Sequence, residues 1–223
     1  MGDEHQHHGL LDLSVAFDCV NHQLLLQRLR RNFGLSDTVL GWITSFVTGR
    51  SQQVACKGQL SKTQLVQYGV PQGSVLGPVL FVMYTAKLSH IIARHGLQFH
   101  QYADDCQIYV SSPVSAVNST VQQFSRCLHD VEAWMSASRL RLNPSKTMVL
   151  WLGSRHVIDK LDVHEVQVLS STVKIDGSAR DLGVLVDSRL TMSDHVRSSG
   201  LSFSVLLLAT DKTNRAVTDS RCR

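Results

Sequence analysis

Apolar positions along the chain fall into segments of two periods. Leu25, Leu29 and Phe33 recur every four residues, with Asn21 placed to cap the helix they predict and Gly34 to end it. Ser36 opens a second helix, in which Val39, Trp42, Ile43 and Phe46 form one stripe before Gly49 and Trp42 is expected in the core. Pro78 suits the first turn of a long apolar helix running to about Ala93, with Val79, Val82, Met83 and Ala86 facing inward. Val117, Val121, Phe124, Leu128, Val131 and Met135 mark a further helix. The shorter runs between these helices are rich in β-branched and aromatic residues and read as strands. They comprise 10–18, a hairpin of 52–56 with 64–68 around Lys57-Gly58, a second hairpin of 99–102 with 108–110, 148–152, further strands through Val163, Val166, Val168, Val173 and Ile175 with Asp176-Gly177 as a turn, and 182–186. Strand, helices, hairpin, helix and strand in that order predict an α+β domain, one sheet with helices packed on one face.

Two of the strands carry charge where the pattern calls for none. Asp12 interrupts the apolar run Leu10-Leu11-Asp12-Leu13, and a charge in a buried strand needs a partner. Asp104-Asp105 lies between Phe99-His100-Gln101-Tyr102-Ala103 and Ile108-Tyr109-Val110, where a tight turn favours Asn-Gly or Asp-Gly. A paired aspartate is compatible with an ordinary solvated turn. If the Asp12 strand lies beside this hairpin, however, three carboxylates meet at one sheet edge. Bringing a further carboxylate to within ~4 Å costs on the order of 4 kcal/mol per pair at an effective dielectric of 20, unless a cation intervenes. Hard oxygen donors on a short turn suit magnesium, and three such carboxylates suit two metals about 3.5–4 Å apart.

Other segments carry weaker signals. Gly69-Val70-Pro71-Gln72-Gly73 places two glycines around a residue that both donates and accepts, a pattern for close backbone approach to a ligand and equally for a plain turn before a helix. Asn143-Pro144 is a turn signal that brings Lys146 to the start of the strand 148–152. Arg28, Arg30 and Arg31 read as a solvated basic face of the first helix.

Five blocks together resemble the reverse transcriptases, most of all those of LINE-type non-LTR retrotransposons. They are Leu-Asp-Leu-Ser-Val-Ala-Phe-Asp (11–18), Gly-Val-Pro-Gln-Gly-Ser-Val-Leu-Gly-Pro (69–78), Tyr-Ala-Asp-Asp (102–105), Leu-Asn-Pro-Ser-Lys-Thr (142–147) and Leu-Gly-Val-Leu-Val-Asp (182–187), in the family's order over residues 10 to about 196. The resemblance implies a polymerase palm, an antiparallel sheet with helices on one face. It implies two Mg2+ ions, replaceable by Mn2+, held by Asp12, Asp104 and Asp105 with the carbonyl of Leu13, and an RNA template, a DNA primer and a dNTP as partners. Phe17 matches the aromatic that closes the sugar pocket against a 2′-hydroxyl. Gln72 and Gly73 match the contact to the templating pair and incoming nucleotide, Tyr102 the residue preceding the acidic turn, and Lys146 the basic residue proposed to protonate pyrophosphate. Cys19 and Asn21 stand where Thr and Asp are common in the family.

Composition narrows this picture. A chain of 223 residues with 43% hydrophobic content can bury a substantial core, and a net charge of +4 with pI near 8.9 favours an anionic partner. Five cysteines without a Cys-x-x-Cys pair indicate neither a disulfide framework nor a zinc knuckle, which points to a reducing, intracellular setting, nucleus or cytoplasm. The longest apolar run, 75–86, is short for a bilayer span, so no membrane partner is expected. Residues 1–9, with His5, His7 and His8, read as a disordered leader, 10–196 as the palm-like domain, and 197–223 as a shortened thumb and irregular tail. Only eleven residues precede Asp12, so against the family's pattern the fingers are expected to be truncated. Two functions therefore stand: a reverse transcriptase domain performing two-metal nucleotidyl transfer, or a non-catalytic retrotransposon remnant that binds nucleic acid weakly or not at all.

Overall fold

The computed structural model describes residues 4–11, 16–71, 73–143 and 145–198. The chain opens with β1 (Glu4–Leu11), a 3-10 turn (Phe17–Cys19), α1 (His22–Phe33) and α2 (Asp37–Val47). Four two-residue strands follow, β2 (Ser51–Gln52), β3 (Ala55–Cys56), β4 (Gln59–Leu60) and β5 (Gln64–Leu65). Next come α3 (Leu76–Thr85), α4 (Lys87–Arg94), β6 (Gln98–Tyr102), β7 (Asp105–Pro113), α5 (Val117–Ala137), β8 (Met148–Leu152) and α6 (Arg155–Ile158). The described chain closes with β9 (Glu165–Val168), β10 (Ser171–Asp176), β11 (Ser178–Asp181), β12 (Val184–Asp187) and a helical turn at 193–198.

The main sheet runs β6-β7-β1-β8-β10-β9. Every pairing in it is antiparallel except β8 with β10, which run parallel. β1 is central, bonded to β7 on one side and β8 on the other, and it begins at Glu4. Residues 4–9 are thus strand rather than disordered leader. The backbone of the sheet interior needs a partner for each N–H and C=O, and this segment supplies them to two neighbours whatever its polar composition. Most of the predicted 197–223 tail lies outside the described residues.

Alternation along β8 shows how the sheet is covered. Val149 and Trp151 point to the helical side, where Val149 joins the main core with Phe124, Leu128 and Val131 of α5. Leu150 and Leu152 point the other way, onto Ala179 and Val186 of the β11–β12 hairpin. Helices therefore cover one face, as expected, and a second hairpin covers part of the other. The turn of that hairpin is Leu182-Gly183, both at positive φ, whereas Asp176-Gly177 joins β10 to β11 of a separate sheet.

Asn21 caps α1 by accepting from the Leu24 N–H at 2.9 Å, and Gly34 ends it at φ 67°. In α2 the buried stripe is Leu40, Ile43 and Val47. Trp42 is not core: it is 57% exposed and stacks on Phe46 with ring centroids 6.1 Å apart. The expected inward face of the apolar helix also shifts. Leu80, Phe81, Tyr84, Leu88 and Ile92 are buried, at spacings of three and four, while Val79 and Val82 are exposed. A run apolar on all sides gives periodicity little to choose between, so the bulkier residues take the core. The segment Leu76–Arg94 is 19 residues long, and by length and composition alone it could cross a membrane; 44% of its most apolar 18-residue window is buried within the protein. It is two helices that meet at Ala86. Thr85 Oγ1 donates to the Phe81 carbonyl at 2.9 Å, a back-bond that favours bending.

Arg28 departs from the solvated face expected of it. Its guanidinium lies 4.4 Å from the Tyr84 ring centroid and 4.7 Å from that of Trp134, and it donates to the Tyr84 carbonyl and to Ser138 Oγ at 2.7 and 2.6 Å. Tyr84 Oη in turn donates to the Ser138 carbonyl at 2.6 Å. Burial lowers the Arg28 pKa and raises that of Tyr84, and the Arg28 charge opposes the rise at Tyr84. The arginine thus ties α1, α3 and the end of α5 together. Arg28→Ala removes two charge-assisted hydrogen bonds and two cation–π contacts, so it should cost about 2–4 kcal/mol. Urea denaturation should show the midpoint falling at unchanged slope.

Candidate active site

The acidic turn sits at one end of the main sheet. β6 and β7 form a hairpin in which Tyr102 pairs with Asp105, so the two turn residues are Ala103 and Asp104. Asp105 is the first residue of β7, a refinement of the reading that put both aspartates in the turn. Ala103 takes φ 55°, a left-handed conformation costing a non-glycine residue roughly 1–2 kcal/mol. Gln101 holds it there: its Nε2 donates to the Ala103 carbonyl and to Thr85 Oγ1, each at 2.8 Å. Sequence reading passed over Gln101 and Thr85. A polar residue two places before a strained turn is the signal that would have found them.

Strand register brings three segments to this end of the sheet. Leu11, the last residue of β1, pairs with Cys106, immediately after Asp105. Leu10 pairs with Met148, the first residue of β8. Lys146 lies two residues before Met148, in a turn organised by Asn143, whose carbonyl accepts from the N–H groups of Lys146 and Thr147 at 3.1 and 3.0 Å. Asp12 and Leu13 lie outside the described residues, as does Gln72. The strand that leads into Asp12 is fixed, and it ends beside Asp105.

Electrostatics at the turn fit a cation. The buried Cys106 thiol is pushed up to about 12, by burial first and then by the charges of Asp104 and Asp105. The potential at the hairpin end is therefore negative, and its donors are hard carboxylate oxygens of the kind magnesium takes. Among the described residues no three His, Cys, Asp or Glu side chains gather as a metal site. Asp104 and Asp105 are the two carboxylates that the described residues place at the hairpin end.

Phe17 and the 69–73 segment are positioned as a pair. The Val70 N–H donates to the Phe17 carbonyl at 2.9 Å, the Gly69 N–H to the Val20 carbonyl at 2.8 Å, and His22 Nε2 to the Gly69 carbonyl at 2.8 Å. Gly69 has φ 87°, and a Cβ there would lie 3.0 Å from Asp18 Cα. The first glycine thus lets two segments of this chain approach each other. Gly73, at φ 73°, meets nothing within 4 Å of its Cβ position and faces open space. The Phe17 ring is partly buried against Phe81, with centroids 5.1 Å apart. α3 therefore carries Phe81 against Phe17 and Thr85 against Gln101, one rigid element supporting both the aromatic and the acidic hairpin. Tyr102 is 65% exposed beside the turn.

A sheet that is antiparallel but for one pairing, with an acidic hairpin at its end and helices on one face, defines an α+β polymerase palm. The reverse transcriptase (RNA-dependent DNA polymerase) family matches residues 3–173. The chain belongs to that family. It is 28% identical over 196 residues to the probable RNA-directed DNA polymerase from transposon BS of Drosophila melanogaster, covering 85% of this chain and 21% of that protein. To the probable RNA-directed DNA polymerase from transposon X-element of the same species it is 30% identical over 194 residues, covering 83% and 20%. The RNA-directed DNA polymerase from mobile element jockey of Drosophila funebris is 29% identical, over 86% of this chain and 21% of that one. The chain thus spans about a fifth of the length of these curated relatives. In structure it resembles apo telomerase from Candida tropicalis truncated of its C-terminal domain, with TM-score 0.56, 14% identity, and coverage of 85% of this chain and 35% of that one. That likeness concerns the fold.

Proposed function

We propose that this chain forms the palm of an RNA-directed DNA polymerase of a LINE-type non-LTR retrotransposon, adding deoxynucleotides to a primer 3′-hydroxyl on an RNA template. The observation that carries the reading is the register that ends β1 at Leu11, opposite Cys106 and so beside Asp105, with Asp12 the next residue in the sequence. In this reading Asp12, Asp104 and Asp105, with the Leu13 carbonyl, hold two Mg2+ ions, for which Mn2+ can substitute. Bound there, the ions supply activation of the attacking hydroxyl and neutralisation of the leaving pyrophosphate.

The chain's own residues position the reactants. Phe17, braced by Phe81, fills the space a 2′-hydroxyl would need. Gln72 and the open side of Gly73 receive the templating pair and incoming nucleotide. Tyr102 borders the primer end, and Lys146, exposed at the head of β8, offers a proton to pyrophosphate. Phe17→Val should relax the sugar choice, raising ribonucleotide incorporation relative to deoxynucleotide by about 10-fold or more, close to 1.4 kcal/mol of discrimination. Competitive incorporation assays read the ratio directly.

Manganese titration tests the metal site without requiring turnover. Paramagnetic broadening should centre on the amides of residues 102–106 and disappear in Asp104→Ala. Broadening spread over surface carboxylates, or unchanged in that variant, would overturn the assignment.

A further inference from the structure

Away from the acidic hairpin, the start of α1, the segment after α2, β5 with the residues after it, and the turn after α5 line an open cavity of about 480 Å³. Its wall includes Arg50, Arg139, His22, Gln23, Gln67 and Tyr68, and among the described residues no aspartate or glutamate lines it. Arg139 lies over the Tyr68 ring at 5.4 Å and donates to Tyr68 Oη at 3.2 Å, which fixes one guanidinium at the wall. The second is Arg50, whose Nη1 is buried and has no hydrogen-bond partner among the described residues. A buried guanidinium donor left unmet is costly, and two cations around a space without a carboxylate repel one another. Both conditions are relieved by one anion that accepts several hydrogen bonds.

We propose that this cavity binds a phosphate of a nucleic-acid backbone, outside the palm's acidic end. The chemistry selects phosphate because planar guanidinium forks match its oxygens in pairs, while Gln23 and Gln67 can donate to the remaining ones. Position selects a nucleic-acid strand over a free anion. Tyr68 is five residues from Gly73, a span of at most ~17 Å of extended chain. That is about five base rises of 3.4 Å, so a strand that runs from Gly73 towards Tyr68 would reach the cavity that Tyr68 and Arg50 share. The inference rests on the reading that the chain works on nucleic acid, but it concerns a contact remote from the metal-binding carboxylates.

The test is binding of a short RNA–DNA hybrid in EDTA, measured by fluorescence anisotropy between 50 and 200 mM salt, where metal binding at Asp104 plays no part. Arg50→Gln and Arg139→Gln should each weaken binding about 3- to 10-fold at the low-salt end and lower the slope of log affinity against log salt by about one. Arg50→Lys keeps the charge and should recover the slope while losing part of the affinity. Inorganic phosphate alone should shift the Arg50 and Arg139 guanidinium resonances at millimolar concentration. Phosphate shifts with no change in hybrid affinity in the variants would mean a free-anion site and overturn the strand contact. An unchanged slope together with absent phosphate shifts would overturn the site altogether. Loss of manganese binding at the acidic hairpin, with the Arg50 dependence intact, would sink the polymerase reading and leave this one standing.

Discussion

Asp104→Ala should reduce deoxynucleotide incorporation by about 10³-fold or more, which corresponds to roughly 4 kcal/mol of lost transition-state stabilisation. The effect is large because phosphoryl transfer leaves the protein little covalent chemistry to perform, so positioning and charge neutralisation carry most of the catalysis. Asp104 occupies the turn itself, beside a strained Ala103 whose carbonyl accepts from Gln101. The assay is primer extension on an RNA template with magnesium. It uses a chimaera in which this chain replaces the aligned 196-residue stretch of the transposon BS relative. Asp159→Ala, which removes an exposed carboxylate paired across a helical turn with Arg155, should leave the rate within about 2-fold. A second readout does not depend on turnover. Asp104 is one of the charges that hold the Cys106 thiol up to about 12, so its removal should bring that value down while burial keeps it above the ordinary cysteine range. Equal losses in both variants would mean that net charge, not a metal ligand, sets the rate.

Much of this site could be read from the sequence because its parts are local. The hairpin follows from two β-forming runs about a polar interruption, α5 from a six-residue apolar stripe, and β8 from the Asn143-Pro144 turn ahead of 148–152. What periodicity missed depends on contacts distant in sequence. Glu4 to Gly9 are polar or small and carry no strand pattern, yet they form the centre of the sheet because β7 and β8 pair with them from either side. Arg28 reads as one of three surface arginines until Trp134 and Ser138, more than 100 residues away, close over it. Trp42 has the stripe position of a core residue, but Leu40 and Val47 take that place. An amphipathic pattern identifies a buried face; it does not identify which bulky residue at the edge of that face stays wet.

The two glycines of 69–73 should separate experimentally, since their backbones are alike and their surroundings differ. Both have positive φ, so an alanine at either position carries a conformational cost of roughly 1–2 kcal/mol. At Gly73 nothing else is added. Gly73→Ala should fold with a stability loss of about that size, and its larger effect should fall on nucleotide incorporation, through the methyl group placed in the open space beside the proposed substrate. At Gly69 the new methyl would stand 3.0 Å from Asp18 Cα, 3.1 Å from the Phe17 carbonyl oxygen and 3.2 Å from that of Asp18. All three atoms are backbone, and the segment that holds them cannot shift without giving up the hydrogen bonds from Val70 to Phe17 and from Gly69 to Val20. Gly69→Ala should therefore cost about 3–5 kcal/mol, a large part of a domain's typical 5–15. Whatever fraction folds should carry a displaced Phe17, with the ring drawn off Phe81 and the sugar choice relaxed as in Phe17→Val. Urea midpoints for the two alanine variants, measured beside their deoxy-to-ribonucleotide ratios, give both results. Equal stability losses would show that the 3-10 turn yields freely, and an unaltered ratio in folded Gly69→Ala would show that Phe17 is held by Phe81 alone.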